Sequence, residues 1–157
     1  MGPLVALGAK LRLVLGGKER MVAGEDFFPG DGIRYLALEP GEVLTEILLP
    51  PPAGKGLFVK FRPQNNLDFA TFTLSLVLAE KSGGARIVVA SVASKPLRAR
   101  QAETMLEKGA PAAEVARQSG KELPLVSFVR GSVEFKKQVL VAYMTEAMVA
   151  LRGERLK

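Results

Sequence analysis

Hydrophobic and polar residues alternate most clearly in two runs between residues 57 and 79. In the second run one face is apolar, and its members are Phe72, Leu74, Leu76 and Leu78. This period of two is typical of a half-buried β-strand. The first run, residues 57–62, alternates in the same way, so the sequence predicts two antiparallel strands joined through residues 63–68. Lys60 is expected to point away from the core.

The same alternation predicts a hairpin and one further strand in the first third of the chain. Residues 9–15 alternate and are followed by the Gly16-Gly17 pair, which supplies the positive φ of a tight turn. We therefore expect residues 18–23 to return as the partner strand. Residues 43–49 predict the next strand.

Beyond the central pair, the pattern predicts one more strand and then helices. Residues 85–93 alternate and complete a three-stranded antiparallel sheet through simple hairpins. The period then changes to about 3.6, which predicts helices over residues 97–109 and 111–119, with Leu97 on the apolar stripe of the first. A last helix is expected to begin near Ser132, whose hydroxyl can cap it.

Three consecutive prolines at residues 50–52 separate these elements into two groups. Proline lacks the backbone N–H that a sheet interior needs, so this segment predicts a stiff connector and a boundary. The predicted fold class is α+β. It consists of a small β-rich N-terminal piece, residues 1–52, and a second unit, residues 55–157, in which a three-stranded antiparallel sheet is packed with three helices.

Composition narrows the chemistry that the chain can carry out. The 157 residues include no Cys and no His, which excludes a Ser-His-Asp triad, a Cys nucleophile, the usual zinc sites and an iron–sulfur cluster held by this chain. We therefore predict no catalytic residue and no metal ligand. No apolar run approaches the roughly 20 residues that cross a bilayer, and no signal peptide is recognisable, so a cytoplasmic protein without a membrane partner is expected.

Charge and polar clusters leave two interpretations open. The net charge of +6 suits an anionic cofactor or an acidic partner, but the basic residues are spread out and the aromatics are in apolar positions, so no nucleic-acid partner is predicted. One end of the central hairpin gathers polar groups, and they are Lys60, Arg62, Gln64, Asn65 and Asn66. A lysine there could meet a phosphate, a carboxylate or an electron-rich ring, or the group could be a solvated hairpin end.

Five segments, taken together, carry a family resemblance. In chain order they are GAKLRLVLGGKERMVAGEDFFPG, LEPGEVLTEILLPPP, FVKFRPQNNLDFA, KPLRARQAETML and VRGSVEFKKQVL. In this order and spacing they resemble the C-terminal half of the FAD-binding, or medium, subunit of the molybdenum hydroxylase family. This family includes xanthine dehydrogenase-like, carbon monoxide dehydrogenase-like and 4-hydroxybenzoyl-CoA reductase-like enzymes.

The resemblance implies a role in electron transfer. It makes residues 1–52 the end of an FAD-binding domain, and residues 55–157 the C-terminal domain of a carbon monoxide dehydrogenase flavoprotein. In the family, FAD receives electrons from a molybdopterin-containing large subunit through the clusters of an iron–sulfur small subunit, and passes them to an acceptor such as NAD. The positions that match flavin-side residues of the family are Lys60 and Leu44.

Two departures from the family change this expectation. The loops that bind pyrophosphate and ribose in the family lie N-terminal to the segment that Gly2 begins here, so we expect poor FAD binding without a partner N-terminal FAD-binding segment. The chain would then be a truncated subunit, an incomplete reading frame or a separately encoded half. In addition, Gln64-Asn65-Asn66 replaces a basic pair of the relatives. The alternative function is a non-enzymatic interaction domain that docks on a partner subunit.

Overall fold

Two antiparallel β-sheets and four helices make up the described part of the chain, which in this computed structural model is residues 1–51, 54–64, 68–79, 84–126 and 132–153. In chain order the elements are α1 (Gly2–Leu7), β1 (Lys10–Leu15), β2 (Lys18–Ala23), β3 (Val43–Leu48), β4 (Gly54–Phe61), β5 (Phe72–Ala79), β6 (Ala85–Ala90), β7 (Leu97–Arg98), α2 (Arg100–Glu107), α3 (Ala112–Glu122) and α4 (Val133–Arg152). The predicted α+β fold class is confirmed. Within the described ranges, no helix is both long and apolar enough to cross a membrane.

The first sheet has the strand order β2-β1-β3 and forms a small core of its own. β1 and β2 are joined by a tight turn with positive φ at Gly16 and Gly17. Leu11 and Leu13 on β1 are fully buried and pack with Phe27. The predicted hairpin is therefore confirmed, and so is the next strand along the chain, β3.

The second sheet has the order β4-β5-β6-β7 and is antiparallel throughout. The predicted order of its first three strands is confirmed. Phe72, Leu74 and Leu76 are buried on the face that the alternation predicts to be apolar. Helices α2 and α4 cover this face, α3 packs against both of them, and α4 contributes Leu140 and Met144 to the main core.

The start of the helix predicted over residues 97–109 is wrong. Leu97 pairs with Val89 as the short strand β7, and α2 begins only at Arg100. The sheet edge offers Leu97 a long-range partner that a local helical pattern does not reveal. The carboxylate of Glu122 then accepts hydrogen bonds from two N–H groups of the first turn of α2, at 2.9 and 3.0 Å, and stabilises the helix there.

Two other boundaries test the sequence patterns. The strand predicted over residues 85–93 ends at Ala90, because Ser91 adopts a left-handed φ of 65° that interrupts an extended chain. At the last helix, the hydroxyl of Ser132 accepts a hydrogen bond from the backbone N–H of Phe135 at 3.1 Å. The predicted cap is therefore confirmed.

The sequence patterns do not predict helix α1, which packs on the opposite face of the second sheet. Its Val5 and Ala6 are buried against Val88 of β6. Six residues are too few for a helical period to stand out. The helix lies within the first sequence unit, residues 1–52, but it packs against the sheet of the second.

A buried ion pair joins β7 to α2 and to the turn after β2. The two carboxylate oxygens of Glu103 accept hydrogen bonds from Arg98 at 3.1 and 2.7 Å, and one of them also accepts from the backbone N–H of Ile87 at 2.9 Å. The guanidinium also reaches Glu25 at 3.2 Å. The hydrogen bond to Glu103 raises the pKa of Arg98, so the arginine stays charged.

The substitution Glu103→Gln is expected to lower the free energy of unfolding by about 2–3 kcal/mol, because it leaves Arg98 without its main counter-charge in a largely buried position. Urea unfolding followed by circular dichroism measures the change. Glu114→Gln is the matched control, because Glu114 is an exposed carboxylate on α3. Equal losses in the two variants would contradict the role assigned to Glu103.

Candidate functional site

Lys60 lies on the outer face of the second sheet, on the side away from α2, α3 and α4. In the register of β4 and β5 it stands opposite Thr73, and Phe58 stands opposite Ser75. Directly opposed residues share a face, and Thr73 and Ser75 are the residues that approach Gly2 of α1. Lys60 is exposed, so its expected orientation away from the core is confirmed.

Helix α1 covers only part of this outer face. It packs over β5 and β6, where Val5 and Ala6 meet Val77 and Val88. Beyond Gly54 at the start of β4, the outward residues of the strand are exposed beside the helix, and they are Gly56, Phe58 and Lys60. These three residues form the β4 strip.

A cavity of about 190 Å³ lies between the β4 strip and α1. Its walls include Pro3 and Leu7 on one side and Gly56 and Phe58 on the other. Ser75 also lines it, and its buried hydroxyl has no hydrogen-bond partner among the described residues. The cavity is therefore mainly apolar, with the cationic end of the β4 strip beyond it.

The polar cluster and the family resemblance point to Lys60 on this strand but not to Phe58. The alternation of residues 57–62 places both on one face, and the exposed fraction of Phe58 is 53%. The sequence feature that could have indicated Phe58 is a large aromatic residue at an outward position beside a lysine. The sequence pattern does not reveal that α1 leaves Phe58 uncovered, which a ligand contact at this position also requires.

The polar end of the central hairpin is only partly described. Arg62 and Gln64 are exposed, whereas Asn65 and Asn66 lie outside the described residues. The predicted grouping of these side chains around Lys60 therefore stays a prediction.

Leu44 belongs to the small core of the first sheet. It lies just before the bulged part of β3, stands opposite Leu13 on β1, and packs half-buried against Leu11, Leu13 and Phe27. Leu44 and Lys60 thus lie in different sheets. Flavin binding by either residue stays a prediction.

An ion pair fixes the start of the strand that carries Leu44. The side chain of Glu42 is only 4% exposed, and its two oxygens accept hydrogen bonds from Arg20 on β2, both at 2.7 Å. One of them also accepts from the backbone N–H of Glu39 at 3.0 Å. The hydrogen bond to Arg20 lowers the pKa of Glu42 below its ordinary value.

Comparison with solved structures finds chains with a similar fold. Quinoline 2-oxidoreductase from Pseudomonas putida 86 matches 98% of this chain and 55% of its own, with a TM-score of 0.82 and 25% identity. Reconstituted CO dehydrogenase from Oligotropha carboxidovorans matches 98% of this chain and 56% of its own, with a TM-score of 0.81 and 26% identity. The sequence resemblance to the C-terminal half of a molybdenum hydroxylase FAD-binding subunit is confirmed.

Two curated proteins are similar in sequence. The aldehyde oxidoreductase FAD-binding subunit PaoB of Escherichia coli K12 is 34% identical over 100 residues, which is 61% of this chain and 31% of that protein. The carbon monoxide dehydrogenase medium chain of Afipia carboxidovorans is 36% identical over 104 residues, 64% of this chain and 35% of that protein. The matches thus span about one third of the length of these relatives. No family model matches the chain.

The described residues fit the ring of FAD better than its phosphates. The exposed ring of Phe58 and the ammonium of Lys60 offer an apolar wall and a cation to a planar conjugated system. The Gly16-Gly17 pair lies instead in an open hairpin turn that leads into a strand, whereas phosphate-binding glycines precede a helix. Among the described residues, no three Cys, His, Asp or Glu side chains cluster as metal ligands.

The pH dependence of stability is expected to reveal the pair of Glu42 and Arg20. Because the folded pKa of Glu42 is lowered, its contribution is present at neutral pH and is lost as the pH falls through that folded pKa. Glu42→Gln should have a lower urea midpoint than the unsubstituted chain at pH 7, and the gap should narrow below about pH 4. Glu19→Gln, which changes an exposed carboxylate of the same sheet, is the control. A gap for Glu42→Gln that is the same at both pH values would contradict this assignment.

Proposed function

We propose that this chain is part of the FAD-carrying electron-transfer subunit of a molybdenum hydroxylase-type oxidoreductase. The observation that supports this best is an exposed lysine, Lys60, on an open sheet face, in a chain that is similar to a protein named as an FAD-binding subunit. When bound, FAD would take electrons from the iron–sulfur clusters of a partner and pass them to an acceptor such as NAD. This chain would hold one side of the flavin ring.

Lys60 would act on the ring through its charge. Its ammonium has three N–H donors, and a ring carbonyl oxygen is an acceptor that they suit. A cation within about 4–6 Å also favours negative charge on its neighbour. Lys60 would therefore orient the ring and stabilise negative charge at the nearer edge.

Leu44 would add an apolar contact from the first sheet. Its half-buried side chain is anchored in the small core, so the remaining surface is held in a fixed position. Two separate hydrophobic clusters, one in each sheet, support the division into an FAD-binding part, residues 1–52, and a C-terminal domain, residues 55–157. The packing of α1 on the second sheet would tie the two together.

The proposed assembly is a cytoplasmic complex with an N-terminal FAD-binding segment, a molybdopterin large subunit and an iron–sulfur small subunit. The support comes from relatives named as a subunit and a medium chain, and from the structure of a Cu,Mo-CO dehydrogenase that matches 98% of this chain with a TM-score of 0.80 and 27% identity. The molybdopterin would be held by the large subunit. The clusters would be held by the small subunit, because this chain has neither Cys nor His to bind them.

Lys60→Ala is expected to weaken FAD binding about tenfold or more, because a hydrogen bond from a charged donor contributes about 1.5–3 kcal/mol. The measurement is flavin absorbance that co-elutes with protein after the purified chain is mixed with the N-terminal half of a related subunit. Lys55→Ala is the matched control, because Lys55 is also exposed on β4 but lies on the opposite face of the strand from Lys60. Equal FAD loss in both variants would count against a specific role for Lys60.

The same mixture separates the flavin function from the alternative of an interaction domain. If the unsubstituted chain and its N-terminal partner form a complex that takes up no FAD, the flavin function is rejected and the interaction domain is favoured. Leu44→Ala is preferable to Leu44→Asp in this assay, because a carboxylate beside Leu13 would disrupt the small core.

A further inference from the structure

We propose that Phe58 is a third flavin-side residue, and that the β4 strip and Leu7 of α1 form a slot for the planar isoalloxazine ring. The inference rests on the proposed function and adds the surface against which the ring lies. Neither Lys60 nor Leu44 supplies an aromatic face, so Phe58 would add a contact of a different kind.

Phe58 stands at the centre of the β4 strip and is 53% exposed, although the other face of its strand packs on the main core. Its neighbours on the same face, Gly56 and Lys60, are each about 7 Å away along the strand. The strip therefore presents bare backbone, an aromatic ring and an ammonium in a line. A flat, elongated ring system can touch all three at once.

Gly56 keeps one end of the slot open. Its φ is not positive, and an added Cβ would make only ordinary contacts, at 3.5 Å from the carbonyl oxygen of Leu76 and 3.8 Å from Val77. Neither backbone geometry nor packing requires glycine at this position. The missing side chain leaves free space on the ligand side of the strand.

Helix α1 supplies the facing wall. Leu7 is 42% exposed, and the cavity of about 190 Å³ separates it from Phe58. Aromatic rings favour offset-stacked or edge-to-face contacts, so two apolar walls with a cation at one end suit a conjugated ring that carries carbonyl oxygens on one edge. An aliphatic ligand would leave Lys60 unused, and a phosphate would leave Phe58 unused.

The test uses the full chain labelled with ¹⁵N and titrated with lumiflavin, which carries the isoalloxazine ring without the ribityl phosphate or adenosine. The amide signals of residues 56–60 and of Leu7 are expected to shift. ADP, which represents the phosphate-bearing part of FAD, should leave these signals unchanged at the same concentration.

Three variants sharpen the test. Phe58→Ala is expected to weaken lumiflavin binding roughly three- to tenfold, because it removes the stacking contact. Gly56→Val should also weaken binding while thermal stability is kept or raised, because valine is a good strand former that fills the slot. Phe135→Ala is the matched control: its ring is 49% exposed on α4, across the sheet from the slot, and its loss should leave binding unchanged.

Phe69 is a 94% exposed aromatic residue outside the β4 strip, to which a flat ring could bind instead. Shifts centred on Phe69, or no shifts at all, would overturn the slot, and so would unchanged binding in both Phe58→Ala and Gly56→Val. If the reconstituted mixture takes up FAD while these results are obtained, the proposed function stands and only the slot is rejected. Failure of that mixture to take up FAD rejects the function instead, and it is measured separately from the lumiflavin titration.

Discussion

The carboxylates of Glu103 and Glu107 on α2 fix the helical layer to the edge of the second sheet. They accept hydrogen bonds from the backbone N–H groups of Ile87 and Ala85, both at 2.9 Å. Because β7 is only two residues long, these edge groups need partners from another element. The spacing of the two carboxylates matches that of the two N–H groups. Glu103 and Glu107 are four residues apart on the helix, a rise of about 6 Å, and Ala85 and Ile87 are two residues apart on the strand, about 6.7 Å.

This docking determines how the two faces of the sheet differ. With α2 held at the edge of β6, α4 lies over β4 and β5, and α3 packs against both helices. Together they form the core in which Phe72, Leu74 and Leu76 are buried. Among the described elements, α1 alone lies on the outer face, and its six residues reach over β5 and β6. The exposure of the β4 strip is therefore a consequence of helix length and position, and it is what makes Lys60 available to a ligand.

Local patterns in the sequence predicted most of the fold because most strands here alternate and pair with their neighbours in the chain. The hairpin at Gly16 and Gly17 and the cap at Ser132 are decided within a few residues. Leu97 was assigned to a helix because its strand partner, Val89, lies across the sheet edge. Helix α1 was not predicted because six residues are too few to show a helical period.

The candidate site was predictable only in part for the same reason. Alternation gave the outward direction of Lys60, and the family resemblance gave its proposed role. The relation between Phe58 and Leu7 depends on how α1 crosses the sheet, which is a long-range property of packing. For Leu44 the sequence pattern is ambiguous, because an apolar residue on a strand fits both a flavin contact and a core position. In the structure Leu44 packs against Leu11 and Phe27.

Under the proposed function, this chain contacts the ring of FAD and leaves the phosphates to another segment. Apolar and aromatic contacts with a ring contribute modestly to affinity, whereas phosphate groups are best held by helix N-termini and glycine-rich loops. The β4 strip offers the first kind of contact, and the described glycine pair at the hairpin turn does not offer the second. Changes at Phe58 and Lys60 would therefore alter the surroundings of the ring, and with them its readiness to accept or release electrons, in addition to weakening the retention of the cofactor.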